Sequence, residues 1–175
     1  MSRQDTVQEN HAVHDTVDPE DLAKWTRWFA IECNNRAWRL SEASTRTAAE
    51  DDEMLHCAHA AALHWGKVGT QLHVARATML LAHVHALLGL GSSAMNYARR
   101  SFEYVASHES PPWEVAFAHA VLANAAAAAH DRELHSKHHA IAQALGAALA
   151  DAQERAIFDA TFRVVPVPAH EKPGK

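Results

Sequence analysis

The sequence predicts an all-α fold, an α-solenoid stack of three helical hairpins closed by a C-terminal capping helix. Three observations carry this. Breaks at Thr45-Arg46-Thr47, Gly89-Leu90-Gly91 and His130-Asp131 recur at close to one spacing, each flanked by sequence of helical periodicity. Strand-like alternation and Asn-Gly hairpin turns do not compete with it. A chain of 175 residues can also bury a core without staples, and its two cysteines, Cys33 and Cys57, have no CxxC spacing.

Met1 to Val17 is polar, carries Asp5, Glu9 and Asp15, and lacks the apolar core of a signal peptide; it is expected to be a disordered arm. Residues 18–163 are expected to form a single helical-repeat domain. Beyond it, Val164-Val165-Pro166-Val167-Pro168 stops the last helix, and 164–175 is expected to be a flexible tail. A formal charge of -5 supplies no basic field for phosphates, which argues against nucleic acid as a partner. The longest apolar stretch, Met79 to Leu90, is interrupted by His83 and His85 and is too short for a bilayer, so no membrane role is expected. Two unpaired cysteines suit a reducing, cytoplasmic setting.

Asp18-Pro19-Glu20-Asp21 is a helix start: a capping side chain, proline at the first helical position and acids in the first turn. Helix 1 is expected to run to about Ala43. At about 100° per residue, Leu22, Trp25, Phe29, Cys33 and Leu40 fall on one side and Trp28, Ile31 and Trp38 on another, which predicts two packed neighbours. Helix 2 starts near Thr47, with Glu50 to Glu53 in its first turns, and is expected to continue to about Trp65 before Gly66 and Gly69 break it. Helix 3, Thr70 to Leu88, has Arg76 as its only charged residue and reads as central. Gly89 to Ser93 is a turn with Ser92 or Ser93 as cap, leading into helix 4, which runs to about Ser107 with Ala94, Tyr97, Ala98, Phe102 and Val105 at core spacing.

Ser110-Pro111-Pro112-Trp113-Glu114 opens helix 5, nearly free of charge through Ala129, whose alanine run admits a close helix neighbour. Asp131 caps helix 6, expected from Arg132 to about Leu149, and Asp151 caps a short helix 7 ending near Arg163. Ala156, Ile157, Ala160 and Thr161, with Phe158 and Phe162 close by, are expected to cover the last hairpin. Leu80, Leu81, Val84, Leu87, Phe117, Val121 and Leu122 are the predicted core.

On the second hairpin Leu81-Ala82, His85, Gly89, Ala94, Tyr97-Ala98 and Phe102 form a pattern of small and large residues around a glycine turn. The third echoes it with Leu122-Ala123, Ala126, Asp131, His135, His138 and Ala142. This pattern resembles the tetratricopeptide repeat over about half of the chain. The hairpin spacing exceeds the roughly 34 residues of that repeat and lies nearer HEAT or armadillo units, and His135 stands where a small residue is preferred. The resemblance implies a binding scaffold. Its carboxylate-clamp members hold peptide C-termini with Lys, Arg and Asn on inner helices, whereas helices 3 and 5 offer only Arg76 and Asn124.

Fifteen histidines stand out. Asp131, His135, His138 and His139 occupy one sector of helix 6, and His135 with His139, four apart, has the spacing of a chelating pair for a divalent metal such as zinc. The alternative is packed, hydrogen-bonded histidines. Helix 2 has a single Glu53-x-x-His56 element where di-iron bundles use two. His59, His64, His83, His85 and His119 are candidates to converge in a groove. Trp28, Ile31 and Trp38 are candidates for a protein-binding stripe, with a second copy of the chain as one partner. Nucleophile elbows, phosphate loops and dinucleotide glycine patterns are missing. The expected function is therefore a non-catalytic helical-repeat module that binds a peptide or protein and needs no cofactor. The alternative is a His-lined metal-binding protein or metal-dependent hydrolase.

Overall fold

The computed structural model describes residues 18–169. The expected arm at 1–17 and the last residues of the expected tail, 170–175, lie outside the described residues. Within them the chain is all-helical: α1 (Pro19–Ser41), α2 (Ala48–Val68), α3 (Gln71–Leu87), α4 (Gly91–Ser107), α5 (Pro112–Ala128), α6 (Arg132–Ala148) and α7 (Ala152–Phe162). None of these helices is long and apolar enough to cross a membrane.

Local chemistry sets most boundaries. Asp18, Asp131 and Asp151 each accept a hydrogen bond from an amide of the first turn they precede, and Thr47 with Glu50 forms a reciprocal capping box. The turns after α3 and α5 are copies of one another. Leu90 N–H donates to the His85 carbonyl at 2.8 Å and Gly89 N–H to that of Ala86 at 3.0 Å; Asp131 and His130 repeat this on Ala126 and Ala127 at 2.9 and 3.1 Å. These are Schellman caps, and they need a left-handed residue at the pivot, supplied by Gly89 at φ 72° and by His130 at φ 60°.

Consecutive helices pack on one another from α1 through α6. In addition α1 meets α3, α3 meets α5, and α7 rests mainly on α5. Accordingly α3 and α5 carry most of the core: Leu80, Leu81, Val84, Phe117, Val121 and Leu122 are buried as expected, and Leu87 is half-buried. Within α5, Ala116, Ala120, Ala123, Ala125 and Ala126 are fully buried, so its small side chains face neighbours on several sides.

Four local expectations are corrected. The α2 helix continues through Gly66 to Val68, and it is Gly69 that ends it, its N–H donating to the Trp65 carbonyl at 2.8 Å. A glycine inside a helix costs about 1 kcal/mol, too little to stop α2 at Gly66. Neither Ser92 nor Ser93 caps α4: the turn is so tight that Leu90 closes α3 and precedes α4 at once, and the Ser93 hydroxyl donates to the Leu90 carbonyl at 3.0 Å. On α1 the packed positions are Thr26, Ala30, Ala37, Leu40 and Ser41, so small residues approach α2 while Leu22, Trp25, Trp28, Phe29 and Ile31 face outward. On α7 Ala156 and Ile157 are exposed, and Phe158 and Thr161 do the packing.

Candidate functional site

A cavity of about 420 Å³ opens among the odd-numbered helices. Asn34 and Trp38 come from α1, His73, Arg76 and Met79 from α3, Trp113, Glu114 and Phe117 from α5, and Ile157 and Thr161 from α7, with Glu42 and Trp65 at the ends of α1 and α2. Each side chain is aimed by its own local structure. The Pro111-Pro112 start fixes the first turn of α5, which sets Trp113 and Glu114 beside α3. His73 is held at the start of α3, its Nδ1 within 3.2 Å of Thr70 N and 2.8 Å of Thr70 Oγ1, and its ring stacks on Trp65 at 4.3 Å.

Arg76 and Glu114 join α3 to α5. The guanidinium donates twice to the carboxylate, from Nε at 2.7 Å and Nη2 at 3.1 Å, and lies 5.5 Å from the Trp113 ring. The Glu114 side chain is only 3% exposed whereas Arg76 is 44% exposed, so the pair seals its acid end and leaves its basic end at the rim. Glu114 raises the Arg76 pKa further above its ordinary value. Trp38 packs edge-on to Phe117 at 5.2 Å and stacks on His83 at 5.5 Å.

Two polar groups of the wall have neither a hydrogen bond nor an ion pair from their side chains among the described residues. Thr161 is 1% exposed, and its hydroxyl has no hydrogen-bond partner among the described residues. The Glu42 carboxylate takes part in none of the ion pairs found there. Burial pushes its pKa above the ordinary carboxylate value, against the opposing pull of Arg163. Arg163 spends a hydrogen bond on the Glu42 backbone carbonyl at 2.8 Å, tying the end of α7 to the end of α1.

The histidines expected to share one groove are divided among four places. His59 and His85 meet Nε2 to Nε2 at 3.1 Å between α2 and α3. Ser93 already donates its proton to Leu90, so its Oγ, 2.6 Å from His85 Nδ1, accepts from that nitrogen. His85 Nε2 is then the acceptor and His59 Nε2–H the donor. His119 and His138 meet Nδ1 to Nδ1 at 2.8 Å between α5 and α6, their rings stacked beside Phe102. His83 is fully buried under Trp38, its Nδ1 3.2 Å from Asn124 Nδ2. His64 stacks on Phe29. Desolvation lowers the pKa of His83 to about 3 and of His119 to about 4, and lowers those of His85, His138 and His139 as well.

The four metal candidates on α6 likewise turn to separate partners. Asp131 accepts from Leu134 N at 3.0 Å, His135 Nε2 donates to the Pro166 carbonyl at 2.8 Å, His138 pairs with His119, and His139 packs against Phe162 at 4.8 Å. Among the described residues no three His, Cys, Asp or Glu side chains converge in a metal-holding group. Of the expected stripe, Trp28 and Ile31 are exposed at 48% and 40%, but Trp38 turns inward to the cavity. The clamp pair is spoken for, Arg76 by Glu114 and Asn124 by His83.

Sequence reasoning named Arg76 and Trp38 but not Glu42, Trp65, Trp113, Glu114 or Thr161 as one site. The available signal was charge: Arg76 is alone on α3, and Glu114 opens the nearly charge-free α5. No protein-family profile, curated protein or solved structure matches the chain.

Proposed function

We propose that the protein is a non-catalytic helical-repeat module that binds an extended peptide segment of a partner in the groove of α1, α3, α5 and α7. The cavity among these helices carries the reading: about 420 Å³, three tryptophans and a small polar set drawn from successive helices. The stack architecture has its own support. Odd-numbered helices touch in series while α2, α4 and α6 pack on their chain neighbours. The two Schellman turns repeat at the 41-position separation that also joins His83 to Asn124 on successive inner helices. A solenoid of tetratricopeptide-like hairpins places such a groove on its inner face.

A non-catalytic role fits the commitments of the side chains. In the groove Arg76 is held by Glu114 and His73 by Thr70. Both cysteines are free thiols, and burial together with the neighbouring Cys33 pushes the Cys57 pKa up, away from reactivity. Free thiols also accord with a cytoplasmic setting.

Selection of random peptides against the full chain is expected to enrich binders that compete for one site. Ile157 is 53% exposed on the groove wall, so Ile157→Lys changes the groove without disturbing the core. It is expected to weaken the selected peptides at least about tenfold at unchanged melting temperature. Peptides indifferent to Ile157→Lys would refute the groove as the binding site.

A second reading, self-association, is favoured by the outward face of α1. Leu22, Trp25, Trp28, Phe29 and Ile31 are each between 40% and 57% exposed, a continuous aromatic surface at the open end of the stack.

A further inference from the structure

The groove contains an acid that stands outside every ion pair among the described residues, with only the more distant charge of Arg163 drawing on it. Glu114 is matched by Arg76, but Glu42 lines the same cavity with no ion-pair partner among the described residues. Its carboxylate has lost part of its hydration, which is why its proton affinity is raised, and Arg163 directs its hydrogen bond to the backbone carbonyl instead. The same cavity is lined by Trp38, Trp65 and Trp113, each with one ring face taken, by His83, His73 and Arg76 in turn, and the second face of such a ring attracts cations; Met79, Phe117 and Ile157 suit a methylene stem. The Thr161 hydroxyl, buried in the same wall without a partner among the described residues, can accept from an N–H donor. An anionic group would meet Glu42 and Glu114, and Arg76 is already paired with the latter through two hydrogen bonds.

We propose that this cavity is a receptor for a basic side chain, a lysine or arginine of the bound peptide, with its stem between the tryptophans and its charged head on Glu42 and Thr161. The inference rests on the groove reading and narrows it. The position of the charge opposes that of a carboxylate clamp, because here the protein supplies the acid and the peptide the base. No bond is made or broken; a half-desolvated carboxylate gains a counter-ion, and the cost of its burial is recovered on binding.

The test uses the uniformly 15N-labelled full chain and the indole N–H signals of its five tryptophans. Three probes are titrated: the capped pentapeptide Ac-Gly-Ala-Arg-Ala-Gly-NH2, its counterpart with norleucine in place of arginine, and n-butylguanidinium. The arginine peptide is expected to shift Trp38, Trp65 and Trp113 saturably and to leave Trp25, on the outer face, unmoved. The norleucine peptide is expected to bind at least about tenfold more weakly, and Glu42→Gln to erase most of that difference. Equal binding of the two peptides would overturn the basic-residue claim while leaving the groove as a peptide site. Butylguanidinium binding as tightly as the arginine peptide would overturn the peptide as occupant in favour of a free organic cation. Shifts confined to Trp25 and Trp28, or no shifts, would overturn the receptor itself. The norleucine comparison requires no altered protein, so it stands even where Glu42→Gln disturbs the end of α1. Selected peptides that depend on Ile157 yet contain no basic residue would separate the two proposals, refuting this one alone.

Discussion

His119 and His138 share one short contact, 2.8 Å between two Nδ1 atoms, and that contact requires at least one ring to keep an unprotonated nitrogen. Desolvation, the neighbouring His138 and Lys137 together lower the His119 pKa from 6.5 to about 4. Below pH 6.5 the unfolded chain therefore binds protons that the folded chain refuses, so the stabilisation is complete above 6.5 and is lost as the pH falls toward 4. His83, lowered from 6.5 to about 3, extends the loss further into acid. The melting temperature is expected to fall between pH 7 and pH 4, and His119→Gln, which keeps a polar contact but does not titrate, is expected to flatten part of that slope. A wild-type profile that stays level through this interval would contradict the burial of both rings. The histidines were conspicuous in the sequence, but their partners were not. Periodicity groups side chains along one helix, as it did for Asp131, His135, His138 and His139, whereas the observed pairs cross from α2 to α3 and from α5 to α6.

Among the elements, α7 depends on one absent methyl group. A Cβ built on Gly146 of α6 would lie 2.1 Å from Phe158 Cε1 and 2.6 Å from Cδ1, so the ring of α7 occupies the space a side chain would need. Gly146→Ala is expected to destabilise the protein by about 1–3 kcal/mol, measured by denaturant unfolding, with partial recovery when Phe158→Leu is added. An additive double mutant would mean that the two positions do not compete for space. The helices themselves were legible because their starts are written in adjacent residues: Asp18-Pro19, Thr47 with Glu50, Asp131 and Asp151 each act within one turn. Which face of α1 is buried was not, since hydrophobicity pointed to its tryptophans while close packing chose Ala30 and Ala37. Close approach rewards small side chains, and hydrophobic periodicity gives them little weight. The groove was illegible for a related reason: its wall is drawn from five helices far apart in the chain.

For the molecule as a whole, the outward aromatics of α1 make association measurable. Trp28 is 48% exposed and distant in role from Trp38, which packs against the core. If copies associate through this face, Trp28→Glu is expected to convert a dimer to a monomer in light scattering without loss of helical content. A monomeric wild-type chain would exclude the self-association reading. The bond between Arg163 and the Glu42 carbonyl carries a different kind of consequence. It joins residues 121 positions apart, whereas the hairpins beneath it form through short connections. Closing so long a loop is entropically expensive until the intervening helices have condensed, so this junction belongs to the late stages of folding. In a refolding experiment helical ellipticity is expected to recover before the fluorescence of Trp38, Trp65 and Trp113 reaches its native value. A newly made chain thus acquires its helices early and its closing junction late, and a product truncated before α7 would carry secondary structure without the wall that Ile157 and Thr161 give the cavity.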